Sequence, residues 1–400
     1  MMPEKIPSST LSLATNHRLH ELDGLRVTVF GLLILYHIGM LYVAGWGYHY
    51  KSQYESHFLA NLMLWSNQWR MSLLFFISGA ALALFLPRNA NLKRVGTRLS
   101  YLILPLIFGA LVVVVPQVYV EAKSQGLMTE LDYWQFWYAY LDQTSAEFED
   151  HKTLGSMHLT WNHLWYLPYI FVYTLILAAI YPLLRSQYLQ PIWQWIASHL
   201  SLTAIVLLPI IGFYINGALL YADNPVTHNL VDDWFNHGRS FLSFLLGFAL
   251  VQVPHLWRNL KTLRWRLLIV GILSYSYALF SFHGGKLGDG IFAQQLNGLL
   301  WSANSWLWML CVIAWGQQWF TRSNPIIRYL NSGVFCFYIL HQTLIIVFAY
   351  WLTPLMLGGF LEPLLVIVLV TLGCWVLFEL IKPIPYLRVL FGINNKVENK

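Results

Sequence analysis

The sequence predicts an all-α protein that crosses a lipid bilayer about ten times. Hydrophobic residues make up 57% of the chain, charged residues make up 10%, and the mean hydropathy is +0.53. Because a soluble domain carries about 25% charged residues, this chain has too little charge to cover a water-facing surface of its size. The formal net charge is +6, but the Lys and Arg residues fall in short groups between apolar runs. That distribution is typical of membrane topology signals, and we predict no nucleic-acid partner.

Ten apolar stretches are long enough to span the hydrocarbon layer, which takes about 20 residues. In chain order they are 27–45, 58–86, 99–120, 163–184, 200–222, 238–254, 266–283, 294–320, 331–352 and 361–381. Each is predicted to be a helix, because a helix satisfies its backbone hydrogen bonds within its own segment.

Positive charge collects in the even-numbered connections, and cytoplasmic loops carry such an excess of Lys and Arg. The groups are Arg88, Lys93, Arg94 and Arg98; Arg258, Lys261, Arg264 and Arg266; Arg322 and Arg328; and Lys382, Arg388, Lys396 and Lys400. We therefore predict cytoplasmic tails at 1–21 and 384–400 around a transmembrane domain at 22–383, with an acidic, partly helical outer loop at about 121–162. The polar N-terminus lacks the apolar core of a cleaved signal peptide.

Ionisable residues inside the spans are costly in a bilayer and tend to mark functional sites. His37 and His341 each lie about ten residues into a predicted span, and Arg70 lies near the middle of the second. At 100° per residue, Arg26 and Asp23 fall on the same face of the first helix as His37. A packing role for each histidine, an interfacial pair of Asp23 with Arg26, and a structural ion pair for Arg70 are the alternatives.

Several other polar residues are candidates for supporting roles. Asn67, Gln68 and Arg70 together predict a helix segment that faces the bundle interior or a wet cavity. Glu379 is either a snorkelling carboxylate or the partner of a buried arginine. The basic group from Arg88 to Arg98 follows from topology alone, or it binds a cytosolic ligand rich in phosphate.

Metal binding is not predicted. The two intramembrane histidines have no cysteine or carboxylate at ligand spacing. The three cysteines, Cys311, Cys336 and Cys374, lie in apolar runs and are interpreted as small buried hydrophobic residues.

Several motifs resemble the membrane acyltransferase-3 family. They are Leu22-Asp23-Gly24-Leu25-Arg26 followed by His37, Phe75-Phe76-Ile77-Ser78-Gly79, Lys93-Arg94 with Arg98-Leu99 and Pro105, and Tyr338-Ile339-Leu340-His341. Three further motifs are most similar to the branch that contains the glucan-modifying protein C, a succinyltransferase. They are Asn67-Gln68-Trp69-Arg70, Pro116-Gln117-Val118-Tyr119 and His163-Leu164-Trp165-Tyr166-Leu167. The resemblance runs from about residue 18 to 383, and it departs at Leu380, where many relatives have proline after the glutamate.

The resemblance implies transfer of an acetyl or succinyl group from cytosolic acyl-CoA to a hydroxyl of a carbohydrate, such as an envelope glucan, by an enzyme of the bacterial inner membrane. The family's functional histidine and its partner arginine correspond to His37 and Arg26. Histidine suits the chemistry, because an acceptor hydroxyl needs a base near neutral pH. We expect Arg26 with Lys93, Arg94 and Arg98 to hold the CoA phosphates, and Arg70 and His341 to orient the acyl group or stabilise the oxyanion.

Other mechanisms and other functions fit the same residues. A covalent acyl-histidine intermediate is an alternative to base catalysis. A transporter or flippase for a polar or lipid-linked solute would also need buried histidine and arginine. A non-catalytic scaffold for an envelope-glycan complex, and an enzyme with a lipid, peptidoglycan or small-molecule acceptor, are further alternatives.

Overall fold

The computed structural model describes residues 19–89, 91–148 and 158–393, and these form a bundle of helices with no β-strand. Most of the N-terminal tail, the side chain of Arg88 and the last residues of the C-terminal tail lie outside this description. The helices are α1 His20–Met40, α2 His57–Asn67, α3 Arg70–Asn89, α4 Leu92–Phe108, α5 Val115–Ser124, α6 Tyr133–Leu141, α7 Tyr166–Leu184, α8 Gln190–His199, α9 Leu202–Leu220, α10 Trp234–Leu250, α11 Pro254–Asn259, α12 Arg264–Phe282, α13 Ile291–Trp319, α14 Pro325–Leu352, α15 Leu361–Ile381 and α16 Pro385–Leu390.

Among the described residues, nine helical segments are long and apolar enough to cross a membrane, which confirms a polytopic membrane protein. They coincide with nine of the ten predicted spans. The remaining prediction, 238–254, falls on α10, whose 17 residues rise about 25 Å. That length is at the lower limit for a spanning helix.

Two interruptions divide segments that were predicted as continuous spans. The second predicted span is broken at Gln68 and Trp69, so that Arg70 begins α3 instead of lying mid-helix. The freed carbonyl of Gln68 accepts a hydrogen bond of 2.6 Å from the Ser305 hydroxyl on α13. Between α4 and α5 the chain forms a π-helical turn, Gly109–Val113, and such turns are frequent at functional sites.

Helices α3 and α10 approach so closely that their backbones touch. A Cβ atom on Gly79 would lie 1.9 Å from the carbonyl oxygen of Phe244, and one on Gly247 would lie 1.9 Å from that of Phe76. Small residues allow such approach in membrane bundles, where dispersion contacts replace the hydrophobic effect as the main cohesion between helices. The contact fixes the relative position of the two helices.

The connection between α1 and α2 is held against the end of the bundle by polar contacts. Lys51 donates hydrogen bonds to the carbonyls of Met40, at 3.0 Å, and Val43. The Ser52 hydroxyl donates at 2.7 Å to the carboxylate of Glu362, which is fully buried at the start of α15. The connection that follows His37 is thereby attached both to the end of α1 and to the start of α15.

Candidate functional site

His37 and His341, far apart in sequence, form a direct hydrogen bond in the structure. His37 Nδ1 lies 2.8 Å from His341 Nε2, and the two rings stack with centroids 5.1 Å apart. Helix α1 begins at His20, seven residues before the predicted start, so His37 lies in its last turn and not midway along it. His341 is fully buried within α14.

The hydrogen bonds of His341 determine which nitrogen of each ring carries the proton. His341 Nδ1 lies 2.7 Å from the carbonyl oxygen of Tyr338 and 3.2 Å from that of Phe337. A carbonyl only accepts, so Nδ1 of His341 is protonated and its Nε2 is an acceptor. His37 must then donate from Nδ1, which leaves Nε2 of His37 unprotonated. His37 is half-buried, and among the described residues nothing hydrogen-bonds to this nitrogen.

A third histidine, His163, lies beside this pair. Its ring is 5.0 Å from that of His341 and perpendicular to it. His163 Nε2 lies 3.1 Å from the carbonyl oxygen of Ile339, and its Nδ1 lies 3.4 Å from the Gln117 amide. By the same logic His163 donates from Nε2 and accepts at Nδ1. His163 was not predicted to be a site residue, because it lies at the predicted start of a span.

Gln117 connects the histidines to the π-helical turn. It is fully buried, its amide donates to the Thr343 hydroxyl at 2.7 Å, and its carbonyl oxygen accepts from Asn162 and Gln342, both at 3.2 Å. The Thr343 hydroxyl in turn donates to the carbonyl of Val113 at the end of the turn. Because every polar atom of Gln117 has a partner, this network is rigid and holds α14 against α5.

Arg70 lies next to the histidine pair. Its guanidinium is 3.2 Å from the centroid of the Tyr36 ring, which is 6.0 Å from the His37 ring. Arg70 is 6% exposed, donates to the Asn67 side chain at 3.2 Å and leaves its Nε without a partner. Of the three polar residues in this segment, Arg70 alone is buried, whereas Asn67 is exposed and Gln68 is half-buried.

Apart from Arg70, the arginines Arg26 and Arg98 form a basic group toward the face that is predicted to be cytoplasmic. They interact electrostatically with each other and with Tyr166, whose hydroxyl lies 2.5 Å from the Ser78 hydroxyl. The ring of Tyr338 bridges this group to the histidines, 6.1 Å from Tyr166 and 6.0 Å from His341.

The other predicted site residues lie outside these two groups. Lys93 and Arg94 are exposed on the first turn of α4. Asp23 accepts a hydrogen bond of 3.0 Å from Asn331. Glu379 accepts from Tyr329 at 2.6 Å and lies 3.8 Å from Lys382, so its ionic partner among the described residues is a lysine and not an arginine.

A buried carboxylate network lies at the start of α10. Asp233 is fully buried and accepts from the hydroxyl of Tyr169 at 2.5 Å, from the amide of Asn236 at 2.7 Å and from two backbone N–H groups. In the preceding loop, burial lowers the pKa of His228 to about 4, against the opposing effect of Asp233. His228 is therefore neutral at physiological pH, stacked on Trp165 with ring centroids 4.1 Å apart.

The site combines the His37–His341 pair with the buried Arg70 and, farther along, with Arg26 and Arg98. Across the described ranges, no three His, Cys, Asp or Glu side chains are grouped so that they could hold a metal ion. His341 Nδ1 and His163 Nε2 each donate a hydrogen bond to a backbone carbonyl, and these bonds fix the orientation of the two rings. A base oriented in this way can take a proton from a hydroxyl.

Comparison with known proteins identifies the family. The model of an acyltransferase domain, that of the acyltransferase-3 family, matches residues 19–379. No curated protein and no solved structure matches the chain. The match covers nearly the whole chain and includes both histidines of the pair, and this multi-pass membrane protein therefore belongs to the acyltransferase-3 family of acyltransferases.

Proposed function

We propose that the protein transfers an acetyl or succinyl group from cytosolic acyl-CoA to a hydroxyl of a carbohydrate, such as an envelope glucan, at the bacterial inner membrane. The hydrogen bond from His37 to His341 is the observation that carries the proposal, because it leaves His37 Nε2 unprotonated and, among the described residues, without a hydrogen-bond partner. His341 is a positioning residue in this account, since its own N–H is committed to the backbone and is not free for an oxyanion.

His37 acts as the general base. Its Nε2 takes the proton of the acceptor hydroxyl as the oxygen attacks the thioester carbonyl and a C–O bond forms. The C–S bond then breaks, and the departing thiolate takes the proton back from His37, so the products are an ester and free CoA. General base catalysis of this kind contributes about 10²–10⁴-fold to the rate. Arg70 orients the acyl group or stabilises the oxyanion.

The distance from Arg26 to His37 fits a long donor. Arg26 and His37 are eleven residues apart on α1, a rise of about 16 Å. Arg26 and Arg98 bind the CoA phosphates near the cytoplasmic surface, and the thin pantetheine arm extends past Tyr166 and Tyr338 to His37. The exposed Lys93 and Arg94 add attraction for the polyanionic donor without contacting the reacting atoms.

The test is acyl transfer by the purified protein in proteoliposomes. Labelled acetyl-CoA and succinyl-CoA are supplied with envelope glucan, and thiol release and label in the glucan are measured for wild type and His37→Ala. We expect both signals for at least one donor and neither for the variant. A transporter releases no thiol, and a scaffold gives no signal that depends on His37, so either result contradicts the proposal.

A further inference from the structure

An apolar cavity of about 430 Å³ lies between α7, α8, α9 and α10, at the end of the bundle that is predicted to be cytoplasmic. Small-molecule sites in proteins have volumes of about 300–1,000 Å³. None of the described residues that line the cavity belongs to α1, α4 or α14, the helices that carry Arg26, Arg98 and the pair of His37 with His341. The cavity is therefore separate from the candidate functional site.

One wall of the cavity is fixed by a proline. Pro209 lines the cavity from inside α9, and proline leaves the carbonyl four residues earlier without its helical N–H donor. That carbonyl, of Ile205, accepts a hydrogen bond of 3.0 Å from the indole N–H of Trp306, which is fully buried on α13 and also lines the cavity. A hydrogen bond between two helices thus holds this wall in place.

Helix α8 covers the cavity as a roof. Its residues Trp193, Ile196 and Ala197 line the cavity at the i, i+3, i+4 spacing of one helix face. No residue of α8 is fully buried, and Trp195, on another face, is 62% exposed. The indole of Trp193 donates at 3.0 Å to the carbonyl of Leu184 at the end of α7. Because an amphipathic helix of this kind lies along the membrane surface, the cavity lies between the bundle and the lipid headgroup layer.

The cavity has an apolar interior and a charged edge. Arg185 lines it just beyond the end of α7 and is exposed, and Leu208 lines it from within α9 and is 57% exposed. Arg185 is the one charged side chain among the described residues that line the cavity. It contacts the Tyr181 hydroxyl at 3.4 Å, and across the described ranges no carboxylate lies within 4.0 Å of it. The charge of this edge therefore suits an anionic group.

We propose that the cavity holds an acyl chain of an anionic phospholipid from the cytoplasmic leaflet, whose phosphate binds Arg185. An apolar cavity of this size lowers stability if it stays empty, and water finds few hydrogen-bond partners in it. The surrounding bilayer supplies acyl chains, and its cytoplasmic leaflet carries anionic lipids. A guanidinium binds phosphate through charge-assisted hydrogen bonds. The lipid stabilises the contact of α8 with the bundle and is not a reactant.

The experiment is native mass spectrometry of the full-length protein in detergent, titrated with phosphatidylglycerol and with phosphatidylcholine of the same acyl chains. We expect one phosphatidylglycerol to bind more tightly than phosphatidylcholine. Arg185→Gln should weaken phosphatidylglycerol binding about five- to tenfold and remove this preference. Arg266→Gln, which removes an exposed arginine from the first turn of α12, is the matched control and should bind both lipids like wild type.

A second pair of variants tests the apolar part of the site. Ala204→Trp fills the cavity from α9, whereas Thr203→Trp adds the same side chain at an exposed position of that helix. We expect Ala204→Trp to lose the tightly bound lipid and Thr203→Trp to retain it, with melting temperature as the folding control. If Ala204→Trp does not fold, the comparison of Arg185→Gln with Arg266→Gln decides.

Equal affinity of the wild type for the two lipids overturns the inference, as does unchanged phosphatidylglycerol binding in a folded Ala204→Trp. A lipid-free dimer that Ala204→Trp abolishes assigns the cavity to a second copy of the chain and also overturns it. Lipid binding is measured without acyl-CoA, so failure of the proposed acyl transfer leaves this test intact.

Discussion

Replacing His341 with leucine removes the acceptor nitrogen that His37 Nδ1 contacts at 2.8 Å. Leucine fills much of the same volume, so the change acts mainly on the imidazole of His37. A buried donor without a partner costs about 1–3 kcal/mol, which corresponds to roughly 5- to 150-fold in rate. We expect kcat for thiol release to fall by this factor. KM for acyl-CoA should stay constant, because the CoA phosphates bind at Arg26 and Arg98.

His341→Gln is the matched control, because its side-chain oxygen can accept the same N–H. We expect this variant to be about tenfold faster than His341→Leu, the equivalent of 1.4 kcal/mol of restored hydrogen bonding. The assay is steady-state thiol release in proteoliposomes, with melting temperature as the folding control. Equal rates in the two variants, or a wild-type rate in His341→Leu, would refute the orienting role.

Three further predictions concern other parts of the molecule. Gly79→Leu should lower stability by more than the 1–3 kcal/mol typical of overpacking, because its Cβ meets the Phe244 carbonyl at 1.9 Å; thermal melting in detergent measures this, and Gly31→Leu, which has no neighbour within 4 Å, should melt like wild type. Arg98→Gln should raise KM for acyl-CoA about tenfold or more by removing a charged hydrogen bond, whereas the same change at the exposed Arg94 should have a smaller effect. The unfolded chain protonates His228 below its ordinary pKa of 6.5 and the folded chain only near 4, so stability should fall as pH drops through that window; melting curves from pH 7 to pH 4 should be flatter for His228→Asn, and parallel curves would contradict this.

The spans were predictable because length and apolar content alone decide which segments cross a bilayer. Their ends were not. Helix α1 begins at His20 because Glu21 and Asp23 are favourable in a first turn, where they meet the positive end of the helix dipole. A hydropathy profile assigns charged residues to loops. The predicted helix therefore began too late, and His37 was placed near its middle and not in its last turn.

The break before Arg70 left no signal of its own, since neither proline nor glycine marks it. The carbonyl of Gln68 at the break instead accepts a hydrogen bond in a tertiary contact with Ser305. A hydropathy profile considers only neighbouring residues and cannot detect this contact, because Gln68 and Ser305 are 237 positions apart.

The pairing of His37 with His341 was only partly predictable. Each was identified as a polar residue in an apolar span, but their direct contact requires α1 and α14 to be neighbours. His163 was missed because it falls at a predicted span start, where polar residues are ordinary. In the structure His163 is 5% exposed and lies beside His341.

The role of His37 as the base is tested by single-turnover thiol release by His37→Gln with acceptor present. His20→Gln, on the same helix and away from the site, is the matched control. We expect a loss of about 10²–10⁴-fold for His37→Gln, with an unchanged melting temperature, and no loss for His20→Gln. A wild-type rate in His37→Gln would contradict it.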